Sequence, residues 1–178
     1  MQTDACIEAG LEVPRFSAAA FEKLSRFVPS SGTIIGNPLD SWQLYYRYNG
    51  EGGTLADVLK IVSSEKQIHT IIIQFDVITH MYNTWGSKLG ERLRPVRENL
   101  LEGCRYARDK TGKLVLISML IEPYTTHDEA KIHYVEFKKR FESQGFIVYP
   151  TVHAAVKAAA NAYKYTLFKR ERANPQYK

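Results

Sequence analysis

The chain has 178 residues, a hydrophobic content of 44%, a charged content of 24% and a formal net charge of +5. These values are typical of one globular domain with a sizeable core, and they argue against intrinsic disorder. No apolar run approaches the roughly 20 residues that a membrane-spanning helix needs. The first ten residues have neither the basic nor the apolar region of a signal peptide, so we expect a cytoplasmic protein with no membrane partner. Cys6 and Cys104 are too few for a disulfide scaffold, and no metal-ligand spacing is present.

Most of the positive charge lies at the C-terminus. Residues 164–178 hold five Lys or Arg residues against one Glu, which accounts for four of the five net positive charges. A basic tail on a nearly neutral body is usually a solvated terminus, and no nucleic-acid-binding motif accompanies it. We therefore expect no nucleic-acid partner, and we divide the chain into a domain over 1–168 and a basic tail over 169–178.

Short β-branched runs alternate with amphipathic stretches along the chain. The patterns predict strands over 11–14, 33–36, 68–78, 113–121 and 146–152, and helices over 3–10, 18–28, 55–65, 86–109, 127–145 and 153–171. Ser17 and Thr54 are predicted helix N-caps. The two longest strands are almost continuously apolar, which is typical of parallel strands that are covered on both faces. The expected fold is therefore α/β, with a doubly wound parallel sheet and helices on both faces.

The first central strand of this sheet is missing from the predicted elements. Doubly wound folds normally open with that strand and a glycine-rich turn into the first helix, whereas this sequence opens inside a predicted helix. Its neighbours would then expose unpaired edges. We expect self-association, strand exchange or a rearranged sheet.

Three segments carry a family resemblance: GLEVPRFS at 10–17, NPLD at 37–40, and GFIVYPTVHAAVKAAA at 145–160. In this order they resemble the C-terminal flavodoxin-like (CoA-ligase) subdomain of NDP-forming acyl-CoA synthetases, the ADP-forming acetate–CoA ligase branch of the succinyl-CoA synthetase superfamily. The resemblance covers nearly the whole chain and implies a flavodoxin-like fold. Each motif is short, and their order is what makes the resemblance specific.

The resemblance implies one piece of a ligase. Such enzymes join a carboxylic acid to CoA at the expense of a nucleoside triphosphate, through an acyl phosphate and a phosphorylated histidine. It implies CoA and ATP/ADP with Mg²⁺ for the assembled enzyme, and other synthetase domains or subunits as partners: the CoA-binding, phosphohistidine and ATP-grasp parts. The chain has no Ser-His-Thr-Gly-like segment. We therefore assign it no catalytic residue and no cofactor of its own, and expect it to be inactive alone.

Candidate binding residues follow the predicted strands and loops. Asn37 and Asp40 come directly after a predicted strand, where they either close a turn or lie at the edge of a phosphate or CoA site. Gly52 and Gly53 precede the helix capped by Thr54, an arrangement that suits either an anion site or a flexible loop. Asp76 ends a buried strand and is a candidate ligand or interface group; a receiver-domain role is excluded because the acidic couplet of that family is missing.

Aromatic residues form a second group of candidates. An aromatic segment follows NPLD, at the point where the family resemblance ends, and another follows the strand that contains Asp76. Both suit a protein interface, although the second, HMYNTWG, is equally compatible with a loop that folds onto its own core. The interface candidates are Trp42, Tyr45, Tyr46, Tyr82 and Trp85.

Other reactive residue types have ordinary structural explanations. Thr126 or Asp128 is favoured as a helix N-cap over a catalytic group, and Cys104 is favoured as a structural thiol over a nucleophile. No Ser-His-Asp, Cys-His or zinc-binding spacing is present. Two functions therefore remain open: a synthetase domain that is inactive alone, and a free-standing module that binds a ligand or a protein without catalysis.

Overall fold

The computed structural model describes residues 2–28, 34–41, 43–44, 53–75, 78–120 and 127–173. Among these residues three helices precede the first strand, and further helices separate and follow the strands. The elements are α1 Gln2–Glu8, α2 Ala18–Ser25, α3 Leu55–Ser63, β1 Thr70–Gln74, α4 Ile78–Trp85, α5 Leu89–Thr111, β2 Leu114–Ser118, α6 Asp128–Glu142, β3 Val148–Tyr149 and α7 Val152–Ala173.

The three strands form one parallel sheet in the order β1-β2-β3. Thr70 is opposite Leu114 and Gln74 is opposite Ser118, so β1 and β2 pair over their full length. The third strand pairs with β2 through Val148 and Tyr149 alone. The predicted α/β fold with a parallel sheet is confirmed, and it is consistent with a flavodoxin-like arrangement that lacks a strand.

Side chains alternate between the two faces of the sheet, and helices cover both. On one face Ile72 and Leu116 pack with Ala155 and Ala159 of α7. On the other face a larger core lies under α3, α5 and α6. Its strand residues are Ile71, Ile73, Val115, Ile117 and Val148, and its aromatic residues include Phe75, Phe137, Phe141 and Phe146.

Both predicted N-caps are confirmed. The Ser17 hydroxyl accepts a hydrogen bond from the backbone N–H of Ala20 at the start of α2. Thr54 begins α3 with a capping box, in which its hydroxyl accepts from the N–H of Asp57 while the Asp57 carboxylate accepts from the N–H of Thr54. These bonds satisfy N–H groups that a helix start otherwise leaves without partners.

Two predicted strands are wrong in the described residues. Residues 11–14 and 34–36 join no sheet, and 33 lies outside the described residues. The side chain of Ile34 is 65% exposed rather than buried. β-Propensity reflects packing against neighbouring strands, and in the described part of the chain neither segment has a strand beside it.

Several element boundaries also differ from prediction. The predicted aromatic loop after β1 contains helix α4, and the strand predicted over 146–152 shrinks to Val148–Tyr149. His127 is the N-cap residue of α6, although its side chain makes no capping hydrogen bond, so the prediction of Asp128 as the cap is wrong. Asp128 instead lies in the first turn, where an acid suits the helix dipole. Thr126 lies outside the described residues.

Helix α7 extends beyond the sheet on which it packs. Its first part packs on the sheet, but residues 161–172 are all exposed. The predicted tail over 169–178 therefore starts within this helix, and 174–178 lie outside the described residues. In the part of the chain that the structure covers, no helix is long and apolar enough to cross a membrane.

A close contact between α3 and α5 at Gly103 gives a first testable prediction. A Cβ atom on Gly103 would lie 2.7 Å from Leu59 Cδ1 and 2.9 Å from the Cα atom of Ala56. Gly103→Ala should therefore destabilise the protein by about 1–3 kcal/mol through overpacking, although alanine has the better helix propensity by about 1 kcal/mol. Urea denaturation measures the change in the free energy of unfolding.

Gly90→Ala, in the same helix, is the matched control. The nearest atoms to its Cβ would be those of the His133 side-chain ring, at 2.7 Å, whereas Gly103 faces the backbone of Ala56 as well as a side chain. We expect a smaller cost there than at Gly103. An equal or larger cost for Gly90→Ala would contradict the packing argument.

Candidate functional site

Two of the three family-like segments contact each other. The Asn37 side-chain amide donates a hydrogen bond to the carbonyl oxygen of Pro14, at 2.9 Å. The peptide bond between Asn37 and Pro38 is cis, and the N–H of Asp40 donates to the carbonyl oxygen of Ile34 at 3.0 Å. The residues NPLD therefore form a turn that is held against GLEVPRFS.

This turn is tied to the amino end of the sheet. The Glu65 carboxylate accepts from the backbone N–H of Ser17 at 2.7 Å and from its hydroxyl at 2.9 Å. The Gln67 side chain donates to the carbonyl oxygen of Arg15. Glu65 and Gln67 both precede β1, so these bonds hold the segment that Asn37 contacts close to the start of that strand. The premise that Asn37 and Asp40 follow a strand at the carboxyl edge is wrong; their roles as ligands stay predictions.

The start of α3 is already occupied by the protein's own groups. Gly53 has a φ of +95°, and a Cβ atom there would lie 2.2 Å from the ring of Phe27. The N–H of Ala56 donates to the side-chain oxygen of Asn99, and the N–H of Asp57 donates to Thr54. An anion would need these N–H groups, and the Asp57 carboxylate would repel it. Gly53 is thus explained by packing, and Gly52 lies outside the described residues.

The carboxyl edge of the sheet is formed by one row of residues: Gln74, Ser118 and Tyr149. The hydroxyl of Ser118 is buried, and it is the buried side-chain oxygen or nitrogen for which no described residue supplies a hydrogen bond. The side-chain amides of Gln2 and Gln74 are hydrogen-bonded, which places the start of α1 beside the end of β1. Asp76, predicted as a ligand at this edge, lies outside the described residues.

The predicted aromatic interface is only partly described. Tyr82 and Trp85 are half-buried against the large core, and the Tyr82 ring lies 4.3 Å from the ring of His127. The guanidinium of Arg92 lies 5.7 Å from the Trp85 ring. This packing favours the interpretation of a segment that folds onto its own core. Trp42, Tyr45 and Tyr46 lie outside the described residues.

Cys104 has the environment of a structural thiol. It is fully buried in α5, and burial raises its pKa to about 12. The reactive form of cysteine is the thiolate, which such a site disfavours at neutral pH. Burial also raises the pKa of Cys6, which is half-buried in α1.

Two shallow grooves lie between helices. The groove between α2 and α3, of about 260 Å³, is lined by three cations, Lys23, Arg26 and Lys60. Two of them are paired, since Arg26 contacts Glu22 and Lys60 contacts Glu102, each at 2.7 Å. The groove between α1 and α7, of about 290 Å³, is lined by both charged and small apolar residues.

Among the described residues no three His, Cys, Asp or Glu side chains converge on a point where a metal ion could bind.

Sequence patterns did not reveal two carboxylates that join distant segments. Burial alone raises the pKa of Glu65, but hydrogen bonds from Ser17 and Gln67 outweigh it and bring the pKa below its ordinary value. The Arg140 guanidinium holds the pKa of Glu98 low and links α6 to α5 at 2.9 Å. Neither pair has a spacing that sequence could signal, because 48 and 42 residues separate their partners.

Comparison with known proteins adds no relative. No protein-family model, no curated protein and no solved structure matches this chain.

The contact between Asn37 and Pro14 is testable by substitution. Asn37→Ala should lower the free energy of unfolding by about 1 kcal/mol, since one partly buried hydrogen bond is lost. Asn37→Asp should cost more at pH 7, because a carboxylate there faces a carbonyl oxygen without the donor. Urea denaturation of both variants measures the effect. Equal stability of the two variants would show that the amide N–H does not hold the turn.

The Glu65 carboxylate predicts a pH dependence of stability. Its pKa is below the ordinary value of 4.5 in the folded protein, so its contribution is complete above that value and is lost as the pH falls through the folded pKa. Glu65→Gln should therefore lose more stability relative to the parent chain at pH 7 than at pH 3, measured by urea denaturation. Glu12→Gln removes a charge from the segment next to Ser17 without removing a bond to it, and sets the baseline. A loss that is the same at both pH values would contradict the assignment.

Proposed function

We propose that this chain is a non-catalytic flavodoxin-like domain that works within an NDP-forming acyl-CoA synthetase. The observation that carries the proposal is the hydrogen bond from Asn37 to Pro14. It joins two of the three segments that resemble the family, and the third contains the start of α7, which covers one face of the sheet. Segments that are 23 residues apart in the chain are thus one structural unit, as residues of a shared family architecture should be.

The proposed role is support and packing rather than chemistry. The hydroxyls of Ser17 and Thr54 each contact a carboxylate, but both residues are helix N-caps. Cys104 is buried with a raised pKa. The assembled enzyme would bind CoA and ATP with Mg²⁺ through its other parts, and this domain would pack beside the phosphohistidine site. The proposal places the protein in the cytoplasm with other synthetase domains or subunits as its partners.

The first test of this function uses the chain alone. Purified protein incubated with a carboxylic acid, ATP, Mg²⁺ and CoA should form no thioester, because the proposal places the phosphorylated histidine in another part of the enzyme. Thioester formation is followed by its absorbance or by mass spectrometry. Synthesis of acyl-CoA above that of a heat-treated sample would contradict the proposal.

The second test asks for the missing parts. The DNA that flanks the coding sequence should encode a Ser-His-Thr-Gly-like segment and an ATP-grasp domain. Co-expression of that polypeptide with this chain should give CoA- and acid-dependent release of ADP, which neither polypeptide gives alone. Activity that is unchanged when this chain is omitted would contradict the proposed role. Flanking DNA without these parts would favour the free-standing module.

A further inference from the structure

One edge of the sheet carries backbone groups with no strand beside them among the described residues. The N–H of Leu114 donates to the carbonyl oxygen of His69, and the N–H of Phe75 donates to that of Ser118. In a parallel sheet, the backbone N–H and C=O groups of one residue both point toward the strand on one side, and those of the next residue point toward the other side. Thr70 and Ile72 therefore direct their N–H and C=O groups away from β2. No described residue pairs with those groups.

The sequence of β1 is that of a central strand. Ile71 and Ile73 are buried in the large core, and Ile72 packs on the opposite face against the cluster of Leu116, Ala155 and Ala159. Edge strands usually carry charges or proline, or are very short, which prevents unwanted pairing. The five residues of β1 have none of these protections. By contrast β3, at the other edge, is two residues long.

We propose that the open edge of β1 binds an extended apolar segment of a partner polypeptide as a fourth, parallel strand. Strand addition of this kind takes its affinity from backbone hydrogen bonds and its specificity from the side chains on the two faces. This inference does not depend on the proposed function. It follows from the hydrogen-bonding pattern of β1 and from the burial of its side chains.

The two faces specify the chemistry of the partner. On the α7 side the added strand would extend the small cluster of Leu11, Ile72 and Leu116. On the other side it would extend the core that includes Ile71 and Ile73. Its residues should therefore be apolar on both faces, as in an interior parallel strand. A length of about five residues matches β1, and proline is excluded because it has no N–H to donate.

A second copy of this chain fits the edge less well. The other described edge strand, β3, offers two residues against the five of β1. Two β1 edges related by a two-fold axis would pair antiparallel, in a sheet whose described pairs are all parallel. A partner segment therefore fits better, and pairing of two copies is an outcome that the experiment separates.

The experiment tethers a probe strand to the full chain. Gln2 lies beside Gln74, so an N-terminal extension starts next to the open edge. The extension Val-Ile-Val-Ile-Val is joined by a Gly-Gly linker to Met1, and the control extension Val-Ile-Pro-Ile-Val differs by one proline. Hydrogen exchange followed by NMR reports each amide. The amides of Thr70 and Ile72 should exchange on the order of tenfold more slowly in the Val extension than in the proline control.

Each other outcome overturns the proposal. The amides of Ile71 and Ile73 face β2 and are the internal reference, since they should be protected in every variant. Equal exchange at Thr70 and Ile72 in both extended chains would show that the edge does not accept a strand. Protection of these two amides in the unextended chain, independent of concentration, would show that the chain covers the edge itself. Protection that rises with concentration, together with a dimer in sedimentation, would assign the edge to a second copy.

Discussion

The ladder between β1 and β2 is the interaction on which the rest of the structure depends. Both strands are apolar on both faces, so the sheet is stable only between two helical layers. The two helical layers differ in size. On one side α7 contributes alanines, Ala155 and Ala159, which keep that layer thin. On the other side three helices enclose most of the large apolar and aromatic side chains.

The aromatic residues of the larger layer connect the sheet to α6. Phe75, Phe137 and Phe141 stack in series, with ring centroids 4.4 and 5.0 Å apart, and Phe146 contacts the last ring edge-on. The guanidinium of Arg108 lies over Phe146 at 4.4 Å and donates to the carbonyl oxygen of Gln144. The end of α5 is thereby attached to the turn that leads into β3. This series of contacts explains how a two-residue strand is held in place.

Sequence patterns predicted the elements that are determined locally. The continuous apolar runs of β1 and β2, and the caps at Ser17 and Thr54, depend on residues that are close in the chain. The strands predicted over 11–14 and 33–36 are wrong in their described residues, because a β-branched run pairs only where a neighbouring strand is present. Local composition contains no information about that neighbour. For the same reason the loop predicted after β1 contains a helix, α4, whose rings pack on the core.

In the candidate site, too, sequence identified local features and missed contacts between distant residues. Asn37 was identified from sequence as a special residue, but its partner Pro14 lies 23 residues away, and only the fold brings them together. Gly53 was identified as part of an anion site, yet the ring of Phe27 fills the space beside it. A glycine before a helix can leave room for a neighbouring side chain just as it can leave room for a bound phosphate. The contact between Glu65 and Ser17 could not be predicted from the sequence, because the two residues are 48 positions apart and no motif links them.

Helix α7 covers one face of the sheet and also extends beyond it. Beyond residue 160 it continues for roughly 18 Å, at 1.5 Å per residue, with every side chain from 161 to 172 in solvent. Lys169 lies over the Tyr165 ring and Arg172 over the Phe168 ring. Both contacts join residues that are four positions apart in the helix itself. The protein thus has a positively charged helical extension, whose base packs on the sheet through Ala155 and Ala159.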